Sequence, residues 1–119
     1  MNKISLKEKY VLIDNQWDPK IIGSVNDMDV KLAKIQGNFE YHTHQENDEL
    51  FYVVEGELIM KYRNSQETVQ EGEMIIVPKG VEHKPYAEKE TKIMLFEAKD
   101  TLNTGDKRSE LTKENLERV

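Results

Sequence analysis

The apolar residues of this chain fall in short runs that alternate with polar ones, and helical periodicity is scarce. Successive strand residues face opposite sides, so this alternation predicts half-buried β-strands. Tyr10–Ile13 is an apolar run closed by the turn pair Asp14-Asn15, and it predicts an N-terminal strand within residues 10–22. Val30–Ile35 follows, with Gly37-Asn38 after it as a hairpin turn. Leu50–Val54 is a strong strand signal, and Glu55-Gly56-Glu57 turns it into Leu58–Tyr62. After the turn Arg63–Gln66 come the short strand Thr68–Gln70, the turn Glu71-Gly72-Glu73 and the strand Met74–Val77. Pro78-Lys79-Gly80 stops that strand; proline suits the second position of a type I turn and glycine its last. Thr91–Ala98 is the final strand. Short strands between regularly spaced turns predict an all-β sandwich or barrel. The similar hairpin entries Glu55–Met60 and Glu71–Ile76 fit a double Greek key, with related strands in facing sheets.

Parity assigns faces. Glu49, Phe51 and Val53 share one side of their strand; Leu50, Tyr52 and Val54 share the other. In the last strand Ile93 and Leu95 oppose Met94 and Phe96, and the sequence leaves open which pair faces inward. The tail, residues 101–119, is polar and charged. Glu110–Val119 carries Leu111 and Leu116 and suits either one or two helical turns or a loose end.

Composition narrows the classes. The 119 residues predict a single domain spanning 1–119. With no cysteine there is no disulfide and no thiolate ligand. A net charge of −6 argues against nucleic acid and against an anionic membrane surface. No segment has the length of a membrane span or the form of a signal peptide, so a cytoplasmic location is the expectation.

All 3 histidines fall in two short segments. His42 and His44 are two residues apart, which on an extended strand puts both imidazoles on one face as a chelating pair. Glu49 opens the next strand in register to face back toward them, although Glu40, Glu46 and Asp48 are neighbouring carboxylates. His83 arrives just past the Pro78–Gly80 turn. Three imidazoles and a carboxylate suit Mn, Fe, Co, Ni, Cu or Zn rather than Ca or Mg. They also leave positions open for a ligand, as a catalytic shell does.

These segments resemble the two motifs of the cupin family. Gly37…His42-x-His44-x4-Glu49-x6-Gly56 is similar to the first motif, with its leading glycine one residue nearer the histidines than usual. Gly72-x5-Pro78-x-Gly80-x2-His83 is similar to the second, with Ala87 where an asparagine is common. The resemblance covers about residues 28–98. It implies a double-stranded β-helix, the jelly-roll cupin barrel, ahead of the short C-terminal tail, helical or loose. It also implies His42, His44, Glu49 and His83 as the metal ligands. Small bacterial cupins labelled mannose-6-phosphate isomerase-like are among the look-alikes. Arg63, Arg108 and Arg118 are the only arginines and none lies in a motif, which counts against a sugar phosphate.

Three functions fit such a shell: a metal-dependent oxygenase; a sugar or keto-acid isomerase, epimerase or lyase; and a non-enzymatic module that holds a small organic molecule. With every histidine on the metal, any general base has to be a tyrosine, lysine or carboxylate. Tyr52, Tyr62 and Tyr86 are candidates for a ligand-facing hydroxyl, though packing is the simpler reading for each. Trp17 either lines the barrel mouth or packs against a partner subunit, packing being the simpler reading; Lys84 reads as outward-facing, and 99–105 as a plain loop rather than a cover over a pocket mouth. A homodimer is expected, because small sheets expose edges that need cover, with Tyr10–Ile13 as the candidate pairing segment.

Overall fold

The computed structural model describes residues 1–119 as one short helix and seven strands. The helix α1 is Leu6–Val11; the strands are β1 (Lys20–Val25), β2 (Met28–Asn38), β3 (Glu49–Glu55), β4 (Glu57–Lys61), β5 (Gln66–Gln70), β6 (Met74–Val77) and β7 (Lys84–Ala98). All strand pairs are antiparallel, in the order β1-β2-β7-β3-β6, with β4 joining β7 and β5 joining β4. The 15-residue β7 organises the sheet. One of its sides runs along β2. Its other side is shared, the C-terminal part pairing with β3 and the N-terminal part with β4.

The closed jelly-roll barrel does not form. β1, β5 and β6 each pair with a single strand, so the sheet is branched and its edges stay open. The turn before β6 is tied to β3, by Gly72 N–H to Val53 O at 2.9 Å and Val53 N–H to Glu73 O at 3.0 Å. That anchor sends β6 onto β3 and away from β5. At the far edge, the chain's own C-terminus meets β1: Ile21 N–H donates to Glu117 O and Val119 N–H to Ile21 O, both at 3.0 Å.

The helix also lies at the other end of the chain from the one expected. Ser5 caps α1 by accepting from Glu8 N–H at 3.3 Å, which is half of an S-x-x-E capping box. Leu6 and Tyr10 then share one helical face, and with Ile13, just past the C-cap Leu12, they pack with Leu32. Tyr10 and Ile13 are therefore buried in the chain's own core, not offered as a strand to a partner. The tail forms turns instead of a helix. Leu111 and Leu116 are five residues apart, a spacing that cannot build one helical face.

Elsewhere the alternation is reproduced. β3 buries Glu49, Phe51 and Val53, and β7 buries Ile93 and Leu95, with Leu50, Tyr52, Met94 and Phe96 half-covered. Val53, Leu58, Met60, Val77 and Ile93 meet in the main core; each such side chain contributes about 1.5–3 kcal/mol by leaving water. Two turns differ in detail. Gly37-Asn38 is no hairpin turn but the end of β2, where Gly37 (φ +78°) sits at a register shift before pairing with Ala87. The turn after β6 closes from Pro78 O to Val81 N–H, 3.2 Å, with Gly80 third at φ +82°. A positive φ at that position is the requirement of a type II turn.

Candidate metal centre

His42 and His44 lie on an extended segment between β2 and β3, and the main chain fixes it from both sides. His42 and His83 form an antiparallel bridge, each N–H donating to the other's carbonyl at 3.0 Å. His44 O accepts from Gly80 N–H at 2.8 Å, which ties the His-x-His segment to the turn that delivers His83. Thr43, between the two histidines, uses its carbonyl on the opposite side, where it accepts from Asp106 N–H at 2.9 Å. Gly105 lies so close there that a Cβ would fall 2.1 Å from Thr43 O. The tail thus straps the ligand segment from behind, and 99–105 is more than a plain loop. Glu49 is the first residue of β3 and stands between Val77 of β6 and Glu97 of β7.

The four side chains converge. His42, His44, Glu49 and His83 are buried, and one potential ligand atom from each lies within 4.8 Å of all the others. Glu49 Oε1 is 3.2 Å from His83 Nε2 and 3.4 Å from His44 Nε2. Donors about 2.1 Å from one ion stand roughly 3–4 Å apart, so this spacing fits a shared divalent cation. The ring orientations fit as well. His42 Nδ1 faces Glu40 O and His83 Nδ1 faces Val81 O, each at 2.9 Å. A carbonyl requires a proton on Nδ1, which leaves Nε2 as a lone-pair donor for a metal. His44 Nε2 is buried without a hydrogen-bond partner, the state an ion would relieve. The chain therefore holds a three-histidine, one-glutamate cluster positioned to bind a divalent metal.

The neighbouring carboxylates are elsewhere. Glu40 binds Ser109 and Lys107, Asp48 accepts from Lys79 N–H, and Glu46 is exposed. Behind Glu49 lies a pair the sequence did not disclose. Glu97 faces Glu49 across β3–β7, and Lys31 Nζ reaches Glu97 Oε1 at 2.7 Å, with both side chains at most 4% exposed. Burial and the adjacent Glu49 charge hold Glu97 well above the usual carboxyl range, against the pull of Lys31. Burial would raise Glu49 too, but the Glu97 carboxyl and the His44 and His83 imidazoles beside it overcome that and hold Glu49 low. Of the two carboxyls Glu97 is therefore the weaker acid, and its Oε2 is buried without a hydrogen-bond partner. Both residues sat in strands as unremarkable alternating positions; only the β2–β7–β3 register brings them to the site.

Burial, then the His83 charge, pushes His42 down to about 4. In the metal-free protein, an unfolded His42 takes a proton near its ordinary value of 6.5 while the folded one does not until about 4. At this residue the unfolded state binds more protons in that window, so His42 withdraws stability as pH drops through it, by on the order of 3 kcal/mol. Glu49, held low, adds a further loss below about pH 4.5. Glu97, held high, acts in the opposite sense, adding stability as pH falls through its raised folded value. Urea melts in chelator at pH 7, 5.5 and 4 of the wild type and His42→Gln isolate the histidine's share; equal acid sensitivity of the two contradicts it.

A cavity of about 40 Å³ adjoins the cluster, bordered by His42, Glu49 and Glu97 together with Trp17, Phe39 and Phe51 among others. Trp17 thus lines the site, while Tyr52, Tyr62 and Tyr86 do not. Lys84 faces away, its Nζ 4.8 Å from the Tyr41 ring.

Residues 29–98 match the family model described as Cupin domain. A cupin-2 domain containing protein from Shewanella frigidimarina NCIMB 400 is 44% identical, with a TM-score of 0.80 over 81% of this chain and 94% of that one. Protein NMB1881 from Neisseria meningitidis is 33% identical, with a TM-score of 0.75 over 82% and 99%. The uncharacterized protein YdbB of Bacillus subtilis (strain 168) is 38% identical over 64 residues, 53% of this chain. That match spans just over half of the curated relative, 57% of its length.

Proposed function

Given that the chain belongs to the cupin family, we propose that it is a metal-dependent oxygenase of a small organic molecule, with the metal on His42, His44, Glu49 and His83. The observation that carries this reading is the inward-facing set of three imidazole nitrogens and one carboxylate beside an apolar cavity. When bound, a redox-active ion supplies an exchangeable position for O2 and polarises an organic oxygen donor. The protein's own part is to fix the imidazole tautomers through Glu40 O and Val81 O and to keep bulk water from the buried cluster. No Lys or Arg borders the cavity to hold a phosphoryl group, so a mannose-6-phosphate isomerase-like role is not part of the proposal.

The test is to load metal-free protein with Fe(II) under anaerobic conditions and add nitric oxide, an O2 analogue, under paramagnetic resonance. A high-spin iron–nitrosyl signal proportional to bound iron is expected. Iron bound without such a signal overturns the oxygenase. One observation favours a second reading, a Lewis-acid isomerase or lyase: Glu97 places a carboxyl group on the same cavity wall as Glu49. Under that reading Zn(II)-loaded protein exchanges carbon-bound protons of carbonyl compounds in D2O, and Glu97→Gln abolishes the exchange.

A further inference from the structure

The cavity beside the cluster is apolar on most sides and small. Ala33, Ile35, Phe39, Phe51 and Trp17 supply much of its wall. The polar side chains on it are His42, Glu49, Glu97 and Asn103. None is free to receive a charged guest. His42 and Glu49 belong to the metal cluster, and Glu97 is held by Lys31. Asn103 uses both ends of its amide on the tail, donating to Leu111 O at 2.9 Å and accepting from Lys113 N–H at 2.8 Å. A ligand whose far end, away from the metal, is charged would therefore lose its hydration against apolar walls without gaining a free partner. A polyol would leave its hydroxyls unpaired. One water needs about 10–15 Å³ of such space, so 40 Å³ admits roughly three water-sized groups.

Trp17 is held in this wall at a backbone cost. Its φ is +58°, a region that non-glycine residues seldom adopt. Two hydrogen bonds keep it there, from its main-chain N–H to Lys34 O and from Nε1 to Gln36 O, each 2.9 Å. Its ring stacks on Phe39 with centroids 4.9 Å apart, and Phe39 in turn meets His42 edge-on at 5.3 Å. Strained residues persist where the surrounding structure over-determines them, and they cluster at ligand sites.

We propose that this cavity receives the short, uncharged, apolar end of a small organic ligand whose oxygen donor faces the metal cluster, and that Trp17 sets how long that end can be. The proposal rests on the reading that the cluster holds a metal, and its test separates the two. Trp17 is the only tryptophan, so its emission reports occupancy of the wall directly. Zn(II)-loaded and metal-free protein are titrated with millimolar butyramide, with its isostere β-alaninamide, whose ammonium replaces the terminal methyl, with glycerol and with the longer hexanamide. Zinc content is measured on the same samples.

Butyramide is expected to shift the emission saturably and to bind at least tenfold more tightly than β-alaninamide or glycerol. Ala33→Leu, which fills the cavity, is expected to abolish butyramide binding with zinc content unchanged. Trp17→Ala, read by ligand-observed NMR, is expected to move the preference from butyramide toward hexanamide by about tenfold, and this partly exposed position serves if Ala33→Leu does not fold. β-Alaninamide binding as tightly as butyramide, or an unchanged length preference in Trp17→Ala, overturns the proposal. Absence of zinc from the wild type overturns the metal reading instead, and the metal-free titration still decides the cavity's preference.

Discussion

His83→Ala is expected to abolish stoichiometric binding of a divalent transition metal while leaving the fold in place. The imidazole is one of four groups in the cluster, and loss of even a supporting contact behind a ligand costs 10–100-fold in affinity. Loss of the ligand itself should exceed about 100-fold on that scale. The fold should survive because the links that hold the segment, His42 N–H to His83 O and His83 N–H to His42 O, are main-chain bonds that alanine keeps. Elemental analysis of protein purified without added metal, beside the exposed-residue control Glu46→Ala, checks this. Equal metal in His83→Ala and wild type would remove His83 from the site.

Breaking the buried pair behind the cluster is expected to be the costliest change for stability. Lys31 and Glu97 are each almost fully buried, and removing one partner of such a pair typically costs about 3–5 kcal/mol, because the other charge stays without compensation. Glu97→Met leaves the Lys31 ammonium facing the apolar interior. The double variant Lys31→Met, Glu97→Met removes both groups and should be less destabilised than Glu97→Met alone. Denaturant melts of the wild type, Lys31→Met, Glu97→Met and the double variant read the difference. Strict additivity would mean that the 2.7 Å contact is energetically idle.

Most of the cluster was legible because its geometry is local. One residue, Thr43, separates His42 from His44, and Glu49 is fixed by the strand it opens, so parity alone assigns their faces. Gly80 and Pro78 mark the turn that brings in His83. What the sequence concealed lies across the sheet. Lys31, Glu97 and Trp17 occupy three separate segments, and only the register of β2 with β7 and of β7 with β3 makes the first two neighbours of Glu49. The open sheet was concealed for a similar reason: alternation marks strands but not which edges stay unpaired. The helix was misread at a point where a signal was present. Ser5-Leu6-Lys7-Glu8 has the capping-box spacing, and Leu6, Tyr10 and Ile13 have helical spacing, but the apolar run Tyr10–Ile13 outweighed both. The tail's role had no pattern to find, since it works through one glycine laid against the Thr43 carbonyl.

The claim at the centre of this account is that three histidines and one glutamate act as a single metal centre. X-ray absorption on protein loaded with one equivalent of Zn(II) tests it most directly. The expected spectrum has nitrogen and oxygen scatterers at about 2.0–2.2 Å, with outer-shell imidazole scattering that fits three histidines. A spectrum with only oxygen neighbours and no imidazole signature would contradict it.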